Sequence, residues 1–362
     1  MRKWFLALLF ILGFIFIITR FGEIEQVLAV IQAADWRFFT MALALQAVWF
    51  GLVTRAYQRF YQAMQVREKL SRLFLVVTAA NFITILTPSG GMTGLAVFLS
   101  DARRRGHSIG HVMVACVLYL ISDYTAIFLI GLSGFCYLHQ LNRLNWVEIT
   151  AASIIGLVLL GLCSLLYLGV RSTERFGCVL ARLARIINRI ARPILRKPLV
   201  SEAWAHHVAE ETAEGITRLA RQPGLFAAPV AFTLGNKLVL MAILWVMFLA
   251  FKVPFTPWAL VTGFGTTYLF AIVTPSPSTV GVLESLMTLS LVAVNVRLEA
   301  AAVITLGYRA VTFWLPFFLG GWTLRQLSLP VGGPPAEPLF IPTISDPAAN
   351  PPEEPRSDQP GR

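Results

Sequence analysis

The chain has 362 residues, of which 56% are hydrophobic and 14% charged, and its mean hydropathy is +0.69. Soluble domains of this length carry about a quarter charged residues, so a water-soluble enzyme is excluded. The net charge of +11 comes from 30 Lys and Arg against 19 Asp and Glu; in a membrane protein such an excess marks the cytoplasmic face, and nucleic acid is not the default partner.

A membrane span needs roughly 20 apolar residues. The candidates in chain order are 4–19, 36–53, 111–138, 147–170, 225–251 and 300–322. The first follows Met1, Arg2 and Lys3 as a signal peptide would, but no small-x-small cleavage site precedes Arg20, so a retained helix is expected. Two further apolar regions, 73–100 and 258–295, are broken near their middles by Pro and Gly. The four cysteines, Cys116, Cys136, Cys163 and Cys178, form no C-x-x-C pair and read as small core residues.

The Lys and Arg count selects the topology. If each broken region turns back to its side of entry, segments 1–3, 54–72, 101–110, 171–224 and Arg325 are cytoplasmic and hold 21 basic residues. The opposite segments, 20–35, 139–146, 252–257 and 296–299, hold one each. A straight crossing at 73–100 would export Arg103, Arg104, Arg105 and the ten basic residues of 171–224, against the positive-inside rule. The expected fold is therefore an all-α integral membrane protein with about six full spans and two re-entrant hairpins, both termini lying in the cytoplasm.

Segment 171–224 carries Phe176, Val179, Leu180, Leu183, Ile187, Ile190 and Ile194 at helical spacing, with Arg182, Arg185, Arg189 and Arg192 among the other faces. It reads as a basic amphipathic helix on the anionic leaflet, either binding lipid or only fixing topology. The tail, 326–362, holds ten of the twenty prolines from Leu327 onward and is expected to be disordered.

The broken regions match each other. Ile85-Leu-Thr-Pro-Ser-Gly-Gly-Met-Thr-Gly94 aligns with Ile272-Val-Thr-Pro-Ser-Pro-Ser-Thr-Val-Gly281 at an offset of 187, with five identities. Residues 1–145 and 146–325 each read as span, span, hairpin, span, in opposite orientation, as an inverted repeat requires. Backbone freed by Pro or Gly is tolerated at membrane depth only where protein or a watery cavity satisfies it. The tips, Pro88, Ser89, Gly90, Gly91 and Gly94 and their counterparts Pro275, Ser276 and Gly281, are candidate headgroup contacts; the alternative is that they only kink packed helices.

Four ionisable residues fall near the middles of apolar segments: Asp123, Lys237, Glu284 and Arg309. Unpaired charge in hydrocarbon is costly, so these should face one another or water. One interior cluster is expected, either a working site for a headgroup or proton or a structural ion-pair network. No P-loop, H-E-x-x-H or clustered His/Cys set is present, so no catalytic residue, cofactor or metal is implied.

The run Leu86-Thr-Pro-Ser-Gly-Gly-Met-Thr-Gly94 with Leu99, Asp101 and Arg103 to Gly106 resembles the transmembrane region of lysylphosphatidylglycerol synthases, a flippase-like domain. Pro275-Ser-Pro, Gly281, Glu284, Tyr308-Arg309 and Phe313-Trp-Leu-Pro316 agree. Ser278 and Thr279 depart from the family, standing where two glycines are expected. The resemblance covers about residues 1–325 and implies movement of an aminoacylated or other polar lipid between leaflets of a bacterial-type cytoplasmic membrane. The family's cytosolic aminoacyl-transfer domain has no counterpart in the tail, so the chain is expected to be no enzyme. The partners implied are polar-headgroup phospholipid or glycolipid. A lipid-biosynthesis enzyme is a further candidate partner; the alternatives are a non-transporting membrane partner of a lipid-modifying enzyme and a membrane enzyme acting on lipid headgroups.

Overall fold

The computed structural model describes residues 34–86, 92–144, 146–171, 224–273 and 282–327, with Cys178, Val179, Arg182 and Thr212 between. Every regular element among these is helical. The helices are α1 Trp36–Ala63, α2 Leu70–Leu86, α3 Met92–Arg104, α4 Ile109–Gln140, α5 Trp146–Arg171, α6 Gly224–Ala250, α7 Pro257–Val273, α8 Val282–Ala293 and α9 Leu298–Gln326. Five of them, α1, α4, α5, α6 and α9, are long and apolar enough to cross a bilayer. They correspond to five of the six expected spans; the sixth, 4–19, lies outside the described residues.

Local chemistry sets the ends. The Asp35 carboxylate accepts from the Arg37 amide at 3.1 Å to open α1, and the Ser108 hydroxyl accepts from the His111 amide at 3.2 Å to open α4. Helix α1 stops where Gln65 turns to φ 59°, and the Val66 amide donates back to the Tyr61 carbonyl at 2.8 Å. The same turn recurs 187 residues later, where Lys252 ends α6 with φ 53° and Val253 donates to Phe248 at 2.9 Å.

The two broken regions each become a pair of shorter helices. Helices α2 and α3 have 17 and 13 residues, and α7 and α8 have 17 and 12. At 1.5 Å per residue they reach about 18–25 Å, short of a hydrocarbon core of about 30 Å. The arms of each pair pack on one another. Gly94 on α3 comes so close to α2 that an added Cβ would stand 2.5 Å from the Thr84 hydroxyl.

Cross-links sort the helix ends between the two ends of the bundle. The Asp35 amide donates to the Ala250 carbonyl at 3.1 Å, Arg143 donates to the Ala293 carbonyl at 2.7 Å, and Tyr137 stacks on Trp258 at 5.4 Å. The start of α1, the end of α6, the α4–α5 loop and both outer ends of the α7/α8 pair therefore share one end. At the other, Glu68 binds Arg105 and His107, both at 2.7 Å, and Arg72 pairs with Asp101 at 2.5 Å, joining the outer ends of α2 and α3. Leu324 and Leu327 of α9 share a hydrophobic cluster with Met64, Val66 and Leu73 there.

Helices α1 and α6 form the most extensive interface, burying Ala42, Ile243, Leu244 and Met247 in one cluster. Next come α4 against α7 and α9 against α2. Glycine makes both of these close. A Cβ on Gly134 would stand 3.0 Å from the Thr262 Cα of α7, and one on Gly320 would stand 2.7 Å from the Thr78 carbonyl of α2. Gly134 and Gly320 differ by 186, the same offset as Asp123 and Arg309. The outer surface is apolar: Leu157, Leu160 and Phe318 are each at least 60% exposed, as suits a hydrocarbon solvent rather than water.

Two features differ from the sequence reading. Only Cys116 is a core residue; Cys136, Cys163 and Cys178 are exposed, Cys136 on the groove between α4 and α5. Helix α9 is not uniform, since Ala310–Trp314 forms a π-helical turn immediately after Arg309. Arg182 is helical and exposed, while Arg185, Arg189, Arg192 and the tail beyond Leu327 lie outside the described residues.

Candidate functional site

Asp123 lies 14 residues into α4 and Lys237 13 residues into α6, which puts both about 20 Å from the helix starts, close to mid-depth. There Lys237 Nζ stands 2.6 Å from Asp123 Oδ1, and the two side chains are 8% and 14% exposed. Both line a cavity of about 340 Å³ enclosed by α1, α2, α3, α4 and α6. Trp49 and Tyr57 form one wall, Asn81 and Thr84 another, and Gly94 and Phe98 of α3 close it on the hairpin side. Tyr57 is held between Phe98 and Tyr119, with ring centroids 4.5 and 4.1 Å away. Most of the lining is apolar, so the ion pair is the dominant polar feature within it.

A second ion pair lies in the other half. Arg309 Nε donates to Glu284 Oε1 at 2.5 Å, joining α9 to α8. The guanidinium also packs 4.2 Å over the Phe313 ring, one residue turn into the π-helical segment. Its Nη2 atom is buried with no hydrogen-bond partner. Tyr268 of α7 reaches toward the residue before Arg309, its hydroxyl 2.8 Å from that of Tyr308.

The four ionisable residues thus meet as two pairs. Of the expected tip residues, Gly94 lines the cavity; Pro88, Ser89, Gly90, Gly91, Pro275, Ser276 and Gly281 lie outside the described residues. Sequence reasoning missed Tyr57, Tyr119 and Asn236. Tyr119 shares a helix face with Cys116 and Asp123 at spacings of three and four, a signal that was available. Asn236 donates to the Tyr119 hydroxyl at 3.4 Å, and its own Oδ1 is buried without a partner. Gln46, inside the α1–α6 interface, is fully buried with neither amide atom hydrogen-bonded. Among the described residues no three His, Cys, Asp or Glu side chains are grouped to hold a metal.

Among the described residues every element is helical and five helices are long and apolar enough to span; with charge paired at mid-depth and an outer surface of leucine and aromatic residues, they define a polytopic membrane protein. Over residues 4–320 it matches the family model described as the lysylphosphatidylglycerol synthase TM region, and it belongs to that family. It is 24% identical over 327 residues to UPF0104 membrane protein MJ1595 of Methanocaldococcus jannaschii, covering 87% of this chain and 92% of that one. To UPF0104 membrane protein PH1989 of Pyrococcus horikoshii it is 22% identical over 324 residues, covering 87% and 95%.

Proposed function

We propose that the chain moves a polar-headgroup lipid between the leaflets of the cytoplasmic membrane, with the headgroup passing through the Asp123–Lys237 cavity while the acyl chains stay in the bilayer. The observation that carries this reading is a charged pair at mid-depth that lines a cavity. Charge within a membrane is costly, and where it persists, paired and lining a cavity, it marks a substrate or ion pathway.

The two halves act as an inverted repeat, 1–145 against 146–325, with α2/α3 and α7/α8 as opposed re-entrant hairpins. Two features support this: the paired glycine contacts at an offset of 186, and the gathering of each hairpin's outer ends at opposite ends of the bundle. The end holding Arg67, Lys69, Arg103, Arg104 and Arg105 is the cytoplasmic one. Such a repeat supplies two related conformations that open one central site alternately to each side.

The test is reconstitution of the full chain into vesicles carrying acyl-labelled fluorescent phospholipids, with a membrane-impermeant quencher added outside. Protein-free vesicles lose the outer-leaflet half of the signal; vesicles with the chain are expected to lose nearly all of it. Failure to move any polar-headgroup lipid would overturn the proposal.

A further inference from the structure

We infer that the headgroup taken into the cavity is zwitterionic, carrying an ammonium and a phosphodiester on one lipid, and that it inserts between Asp123 and Lys237. This rests on the proposed lipid movement and narrows its substrate class.

The first argument is charge balance. Asp123 and Lys237 cancel, so the cavity they line has no net charge. The neighbouring Glu284–Arg309 pair cancels as well. A headgroup with net charge would place one uncompensated unit charge in a low-dielectric interior, whereas a zwitterion leaves the sum at zero. The second argument is geometric. The carboxylate and the ammonium come from separate helices, α4 and α6, so a headgroup can part them without unfolding either. A zwitterion then exchanges one ion pair for two, its ammonium on Asp123 and its phosphodiester on Lys237, each a charge-assisted contact. An anionic headgroup could bind Lys237 only with Asp123 left beside it as a like charge. A neutral glycolipid has no charge to offer either partner and would have to leave the pair closed.

Size agrees. A volume of about 340 Å³ would hold on the order of ten waters, enough for a compact headgroup and too little for acyl chains. Around the pair, the Tyr57 and Tyr119 hydroxyls, Asn81, Thr84 and the Trp49 indole offer further polar groups.

The experiment compares three trace probes in identical vesicles of phosphatidylcholine and phosphatidylglycerol: acyl-labelled phosphatidylethanolamine, phosphatidylglycerol and a diglucosyl diacylglycerol. Phosphatidylethanolamine is expected to cross about tenfold faster than either of the others. Asp123→Asn leaves Lys237 as the sole charge and should reverse the preference towards phosphatidylglycerol. Lys237→Gln should slow phosphatidylglycerol further and favour a cationic trimethylammonium lipid. Equal or faster movement of phosphatidylglycerol or the glycolipid by the unaltered chain overturns the zwitterion assignment while lipid movement itself stands. A preference that neither variant shifts also overturns it. If no probe moves, lipid movement falls first and the assignment with it.

Discussion

The Asp123–Lys237 and Glu284–Arg309 pairs are made of similar parts at similar depth, yet they differ in what they join. The first bridges the two halves of the chain, α4 to α6, and faces a cavity. The second stays within one half, α8 to α9, with its guanidinium stacked on Phe313 and Nη2 sealed away from any partner. Position in the repeat does not by itself confer a role. Under the proposed reading the pair that lines the cavity meets the headgroup, while the Glu284–Arg309 pair holds α8 to α9. The π-helical turn after Arg309 sharpens the contrast, because α4 runs as unbroken α-helix past Asp123.

That contrast can be broken by substitution. The largest expected effect is on stability, at the Glu284–Arg309 pair. Arg309→Met removes one partner of a buried ion pair and should cost about 3–5 kcal/mol, read by thermal unfolding in detergent. Arg309→Met with Glu284→Leu removes both charges and should recover much of that loss. Unchanged unfolding in the single variant would mean that the pair contributes nothing to the fold.

A smaller effect is expected where the halves interlock. A Cβ on Gly265 of α7 would stand 2.8 Å from the Gly131 Cα of α4, with backbone on both sides and no side chain to yield. Gly265→Ala should therefore cost about 1–3 kcal/mol. Gly161→Ala on α5, which meets nothing within 4 Å, should be close to neutral by the same measurement.

The smallest effect concerns the clamp at the basic end. Burial raises the Glu68 carboxyl, but hydrogen bonds from His107 and Arg105, with the charge of both, outweigh it and leave it below the ordinary 4.5. A carboxylate lowered on folding contributes stability that is present above its unfolded value and lost as pH falls through the folded one. The unfolding temperature should therefore drop below about pH 4.5 in the native chain, and less so in Glu68→Gln. Parallel pH curves for the two would show that the clamp is thermodynamically silent.

Much of the fold was legible in the sequence because the bilayer imposes simple rules. Length and apolarity located five spans, and Thr87-Pro-Ser and Thr274-Pro-Ser located the breaks between the arms. The pairing of charges was not legible. The near-equivalence of Asp123 and Arg309 in the repeat invites a single cluster, but which cation meets which acid depends on how α4 crosses α6, a tertiary relation with no local signal. The π-helical turn also left no mark, since Ala310–Trp314 reads as ordinary apolar helix. Gln46 was passed over as one polar residue in an apolar run, although its burial between α1 and α6 sets it apart.

The most direct measurement is lipid movement in vesicles by Asp123→Asn, paired with its unfolding temperature. If the cavity is the headgroup path, transfer of the native chain's preferred lipid falls by at least about tenfold in protein that still unfolds cooperatively. Transfer at the native rate with Asp123 replaced would contradict a path through this cavity.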